Sequence, residues 1–474
     1  MQFPFRLLSW IPAVLAGLVF AAPPAAAPTD AWLDGSRGRW DEVAGDVWDY
    51  SETSLSETRS AALLEKVLAD EGFNVIRGVA GMPTAFVASA GSGSPVVGIL
   101  AEYDALPGLS QKGGEAEKSP RLSGAPGHGC GHNLLGTAAV AAAVAANRSR
   151  LSGKLPGTIR VFGTPAEEEL TGKPFMLRDG VFAGTDVVLA WHPAAANLVN
   201  TKPRLAITAI DVEFFGKTAH AAANPWLGRS ALDAVELFDH ALALMREHIL
   251  PTARIHRVIK DGGRAANIIP DYARVQWFVR DATGASVAEM LGRIRKAADG
   301  AALATETRAK VTLLGGTREP IYNDVLSRVV QKELERVGPP AWDAADTVFA
   351  KAVQEEVGIP ETGLADKVVP YAPGHGGEAS SDVGEVSAVV PLAELEVATA
   401  PLGSPWHHWV VTSCSASPIG RKGMLVAAKV LAAAMADLLS DPKTVNAAKE
   451  EFAKATGGRP YVSPLAKDAV PRTY

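Results

Sequence analysis

The chain has 474 residues, with 46 Lys and Arg against 52 Asp and Glu, a formal net charge of −6. That length suits two or three domains at ~150 residues each. The acidic balance argues against a protein built around a nucleic-acid backbone or an anionic membrane surface. Two cysteines, Cys130 and Cys414, exclude a disulfide framework and allow at most one bridge.

Residues 1–27 read as a secretory signal peptide. Arg6 precedes the apolar run Leu7–Phe20, and small residues follow, with Val19 and Ala21 at a cleavage site. The run is shorter than the ~20 residues of a membrane span, and Pro12 interrupts it. The mature protein is therefore expected to be periplasmic or secreted, with no stable membrane association after cleavage.

Apolar positions at helical spacing (Leu55, Ala62, Leu63, Val67, Leu68) predict an amphipathic helix over 53–72. Val96–Leu100 predicts a buried strand, and Gly108–Gly127, rich in Gly, Ser, Pro and charge, a surface loop. Leu134–Ala146 is Ala, Leu and Val on all sides and predicts a buried helix, with Asn133 as its N-cap. Thr158–Gly163 and Val187–Trp191 predict further strands. Strand, helix, strand with apolar strands predicts an α/β layer with a mainly parallel sheet and helices on both faces.

The pattern changes near residue 206. Ala206–Phe214 alternates with period two, Ser230–Ile249 is helical, Ala273–Arg280 alternates again, Val287–Leu303 is helical and Ala309–Leu314 is a strand. This β-α-β-α-β run predicts a small α+β domain over 206–318. It interrupts a larger catalytic domain made of 28–205 and 319–474, which closes with a helix over Gly423–Leu439.

Four short segments hold an unusual share of the metal-binding side chains: Gly127-His-Gly-Cys-Gly-His-Asn133, Thr164-Pro-Ala-Glu-Glu168, Trp191-His-Pro193 and Pro405-Trp-His-His-Trp409. They contain five of the ten histidines. Cys130 and His132 fall on a strand-to-helix loop, and Glu167, Glu168 and His192 come after predicted strands, where open α/β sheets gather their ligands. Each segment alone reads as a turn, a solvated acid pair or an ordinary hydrogen-bonding histidine. Their joint ordering along alternating strands and helices points to one metal site. Cys130, His132, Glu168, His192 and His407 are too many for one tetrahedral ion with an open position, and they suit two divalent ions, zinc or manganese. Of the adjacent glutamates, one can ligate while the other stays free as general base. No Gly-x-Ser-x-Gly elbow and no His-Glu-x-x-His helix is present.

These segments resemble the co-catalytic metallo-carboxypeptidase and aminoacylase family of amidohydrolases, in its aminobenzoyl-glutamate utilization branch. The likeness also rests on Leu100-Ala-Glu-Tyr-Asp-Ala-Leu106, Leu227-Gly-Arg-Ser-Ala-Leu-Asp-Ala234, Asn267-Ile-Ile-Pro270 and Ser381-Asp-Val-Gly-Glu385. It implies a two-metal catalytic domain and a lid domain that also forms a homodimer. On this resemblance Glu167 is the base, and Cys130, His132, Glu168, His192 and His407 are ligands, with His407 preferred to His408. Asp104 orients a metal-site group. His220 reaches the neighbouring subunit's site and stabilises the tetrahedral oxyanion. Asn267 and Arg280 hold the substrate's carboxylate. The family often has His where Glu102 stands.

The function expected is a metal-dependent amidohydrolase acting on N-acyl or N-aroyl amino acids, aminobenzoyl-glutamate-like. The alternatives are a metallo-dipeptidase or carboxypeptidase on small peptides and, from another class, an exported binding protein, which has no use for Glu167 beside metal-ligand residues. A free amino terminus on the substrate needs an acidic anchor, and an acyl group needs an apolar pocket.

Overall fold

The structure is a computed structural model and describes residues 28–376, 379–463, 465 and 467–472. The leader expected over 1–27 lies outside the described residues. The first part of the catalytic domain runs α1 (Pro28–Gly35), α2 (Arg37–Tyr50), α3 (Thr58–Asp70), β1 (Asn74–Arg77), β2 (Phe86–Ser92), β3 (Val96–Ala101), α4 (His132–Gly153), β4 (Gly157–Gly163), α5 (Gly172–Arg178), β5 (Val187–Ala194) and β6 (Leu198–Val199). The interrupting domain follows with β7 (Ala206–Phe215), α6 (Ala231–Met245), β8 (Arg254–Asp261), β9 (Tyr272–Asp281), α7 (Gly284–Thr305) and β10 (Arg308–Thr317). The chain then returns through α8 (Asp324–Val337), α9 (Ala344–Glu356), α10 (Val383–Val386), β11 (Leu392–Ala398), α11 (Trp409–Ser415), α12 (Pro418–Ser440) and α13 (Pro442–Thr456).

The large sheet has the order β1-β2-β4-β3-β5-β11-β6. Its centre, β4-β3-β5-β11, is parallel, and the outer pairs are antiparallel. One face is covered by α4, α12 and α8, whose Leu, Val and Ala side chains join the main core. The other face is covered by Phe175 and Met176 of α5 and Val383 and Val386 of α10. The apolar α12 is long enough to cross a membrane by length and composition, but it packs inside this core.

Small residues on α4 let it sit close to the sheet. A Cβ at Gly136 would lie 2.6 Å from the Glu102 carbonyl oxygen, so this glycine brings the first turn of α4 against the end of β3. Asn133 is not the N-cap. Gly131 takes that place with φ 76°, so His132 already begins the helix, and the Asn133 amide donates inside to Ala44 O and Ser415 O. The helix expected over 53–72 starts at Thr58, and His192 lies inside β5 instead of after it.

The interrupting domain is a four-stranded antiparallel sheet, β10-β7-β9-β8, with α6 and α7 packed on one face. Strand β8 is absent from the sequence-based expectation because it shows no alternation. It is the edge strand, and Ile255 is its one buried residue. The chain enters and leaves this domain side by side, with Ile207 of β7 opposite Thr317 of β10. A bulge between Leu313 and Gly315 turns β10 toward the catalytic domain, where Gly316 N donates to Leu170 O at 3.2 Å. A Cβ at Gly315 would sit 2.7 Å from the same oxygen, so the close approach needs glycine.

Candidate active site

The site gathers at the carboxyl ends of the parallel strands. Asp104, just past β3, accepts from His132 Nδ1 at 3.0 Å, from Ser54 Oγ at 3.1 Å and from Glu168 N at 3.0 Å. It therefore fixes the His132 ring and the Glu168 backbone together, and it leaves His132 Nε2 facing the site. The turn after β4 carries Glu167 and Glu168 between two residues of positive φ, Ala166 (56°) and Leu170 (52°). Glu57, fully buried before α3, accepts from Ala166 N at 2.9 Å and stabilises that turn. His192 projects from β5 with Nε2 3.4 Å from Cys130 Sγ. His407 also has positive φ, 55°, and donates its backbone N–H to Gly129 O at 3.1 Å. Its Nε2 lies 3.2 Å from Glu168 Oε2.

Two of the three ligand groups that result, each within 4.8 Å, are Cys130 with His132 and His192, and Cys130 with Glu168 and His407. They share the Cys130 sulfur. His407 joins the second group, while His408 stands at the start of α11. His132 Nε2 and Glu168 Oε1 are buried without a hydrogen-bond partner. Orphaned donor atoms converging from thiolate, imidazole and carboxylate are the chemistry of divalent metal ions, so the residues fit such ions.

The electrostatics of the cluster agree. Burial works against the Cys130 thiolate, but the imidazoles of His192 and His132 outweigh it and hold the thiol well below its ordinary range. Burial likewise opposes a charged His192, and the Cys130 charge overcomes it, pushing the imidazole up to about 9. Hydrogen bonds with Cys130 and Glu168 push His407 up to about 11. Burial, with the Glu102 and Glu168 charges, pushes Glu167 up to about 8. A carboxyl raised this far is suited to take up and give back a proton near neutral pH.

A cavity of about 580 Å³ opens over the cluster. Arg280, on β9 of the interrupting domain, reaches its wall and donates to Ser380 Oγ at 3.0 Å. Asn267 and His220 do not line it. They lie beside one another on the exposed side of that domain, where Ala221 N donates to Asn267 O at 3.1 Å. Within one chain, Asn267 and Arg280 are therefore not brought together.

Four further residues shape the site without a clear mark in the sequence. Lys173, fully buried, bonds Glu102 and Asp382. Glu57 braces the turn that carries Glu167 and Glu168. Arg204 and Glu396 line the cavity as a pair, 3.2 Å apart. The signal for Lys173 is a lone lysine in the apolar helix after Glu168, and for Glu396 an acid in an apolar strand.

Residues 206–306 match the peptidase dimerisation domain of the M20 peptidases. Over 467 residues, 93% of this chain and 97% of the relative, the sequence is 38% identical to one of the p-aminobenzoyl-glutamate hydrolase subunits of Escherichia coli (strain K12). The chain belongs to the M20 family. It is thus a hydrolase of the amidohydrolase and peptidase kind. A second M20 relative, the mouse Xaa-Arg dipeptidase, is 30% identical over 89% of this chain and 90% of its own. The fold is that of a dinuclear metal-binding M20 peptidase from Bacillus subtilis, with a TM-score of 0.56 at 18% identity, covering 86% of this chain and 99% of that one.

Proposed function

We propose that the protein is an exported, homodimeric amidohydrolase that uses two zinc or manganese ions to cleave N-acyl or N-aroyl amino acids of the aminobenzoyl-glutamate kind. The observation that carries this reading is the wall of the cavity. Arg280 stands on one side without a carboxylate partner among the described residues. The remaining wall is mostly apolar, including Ala194, Ala195, Leu198, Phe278, Leu402 and Trp406. Glu396 also lines the cavity, but it accepts from Asn200 Nδ2 at 2.9 Å and pairs with Arg204. Among the described residues, no free acid beyond the Glu167–Glu168 pair is left to anchor a substrate's amino terminus, whereas an acyl or aromatic group fits.

In this reading Cys130, His132, Glu168, His192 and His407 hold the ions, and Asp104 keeps His132 oriented. Bound divalent ions supply charge that polarises the amide carbonyl and acidifies water. Glu167 accepts the proton of the attacking water and returns it to the departing nitrogen, so the acyl group leaves as a carboxylate and the amino acid as an amine. Arg280 grips the amino-acid carboxylate. His220 and Asn267, remote from the cavity of their own chain, are offered to the site of a second copy. The pattern of residues 1–27 supports export.

The test is metal analysis of purified protein with a panel of N-acyl, N-aroyl and dipeptide substrates, with and without chelator. Chelator-sensitive hydrolysis of N-aroyl amino acids supports the reading. Turnover of dipeptides alone would move the chain to the dipeptidase side, which the mouse relative's name favours.

A further inference from the structure

Among the described residues Lys173 is the one buried lysine, with none of its side chain exposed. An ammonium so placed persists only when it is paired. Its Nζ lies 2.7 Å from Glu102 Oε1 and also contacts Asp382 Oδ1, and its backbone N donates to Asp382 Oδ2 at 3.1 Å. The other oxygen of Glu102 is buried with no hydrogen-bond partner and lies 3.5 Å from His132 Nε2, the nitrogen that faces the site. Glu167 Oε2 is 3.9 Å from the same nitrogen. Glu102, His132 and Glu167 thus form a third group of ligand atoms within 4.8 Å, beyond the two that share Cys130.

A carboxylate at this spot would complete the coordination of an ion held by His132. A hydrolytic centre needs that position open for water and substrate. Lys173 takes one Glu102 oxygen and half neutralises the group. We propose that Lys173 is a positioning residue that holds Glu102 beside the ion at His132 and not on it, keeping a coordination position free next to Glu167. Asp382 binds both the ammonium and the backbone N–H of Lys173 and so tethers Lys173 against following Glu102 inward. The proposal rests on the reading of this pocket as the metal pocket.

It has a consequence that a structural role lacks. Removing the ammonium takes a positive charge away from two cations and frees a carboxylate toward them, so metal should bind tighter while the reaction slows. Lys173→Met, loaded with Mn²⁺ and titrated with a competing chelator, should retain the ion at least ~tenfold more tightly. Its kcat on an N-aroyl amino acid should fall by ~10²-fold, as when a reacting geometry is misplaced. Adding Glu102→Gln to Lys173→Met should return Mn²⁺ retention to near the wild-type value. Should Lys173→Met fail to fold, the isosteric Glu102→Gln decides alone: it removes a negative charge near the ion, so a loss of Mn²⁺ affinity below ~10²-fold supports the proposal, and a greater loss makes Glu102 a ligand and overturns it. Metal binding and rate that weaken together in Lys173→Met, or that both stay unchanged, also overturn it. Wild-type protein that binds neither Mn²⁺ nor Zn²⁺ would remove the metal reading itself, and this proposal with it.

Discussion

Replacing Arg280 tests whether the cavity reads a carboxylate. Arg280 is half-buried on β9, its Nη1 bonds Ser380 Oγ, and burial holds its guanidinium below the ordinary arginine range. A planar guanidinium can give a carboxylate two parallel hydrogen bonds. Hydrogen bonds to charged groups contribute roughly 1.5–3 kcal/mol each. Half-burial places them at the low end, so Arg280→Ala should cost about 3 kcal/mol, or ~10²-fold in kcat/KM, on a free-acid substrate. On the matching carboxamide the loss should be much smaller. Arg280→Lys offers one bond in place of two and should recover about tenfold of that loss. The assay is kcat/KM for an N-benzoyl amino acid and its amide with all three proteins. Equal cleavage of acid and amide by the wild type would refute the assignment of Arg280 and the amino-acid half of the substrate with it.

Glu167→Gln should keep its metal while turnover drops by ~10²–10⁴-fold, and metal loss in this variant would reverse the roles of Glu167 and Glu168. Cys130→Ser should weaken both metal groups at once, because both include the Cys130 sulfur, and its activity should fall with metal content; a Cys130–Cys414 disulfide in active protein would contradict this. In the metal-free protein His192 is pushed up to about 9 and must lose its proton to ligate. Metal affinity should therefore rise with pH toward that value, with proton release measurable by calorimetry in buffers of different ionisation heat. Mixing His220→Ala with Glu167→Gln chains should restore part of the activity when subunits exchange, and demonstrated heterodimers without recovery would confine His220 to its own subunit.

The donors are legible in the sequence because their chemistry is short-range. Cys130 and His132 sit at the start of α4, Glu167 and Glu168 just after β4, and His192 within β5, so residue type and predicted element point to one sheet edge. Asp104 is legible only through the family likeness. Lys173 is not, since its burial depends on Asp382, 209 residues further on, and a lysine near a helix start ordinarily points to water. Strand β8 is hidden for a related reason. At the sheet edge both of its faces are largely exposed, and the hydrophobic alternation that announces a strand needs one buried face. Asn133 misleads because its polarity suggests a cap, whereas the positive φ required there favours Gly131.

The paired crossing at Ile207 and Thr317 is a two-stranded seam between the domains. Beside it Gly316 N donates to Leu170 O, and Leu170 N in turn donates to Glu167 O at 2.8 Å. A displacement of β10 at this seam must either carry or break those two hydrogen bonds, so the domain that holds Arg280 and the turn that holds Glu167 meet through main chain.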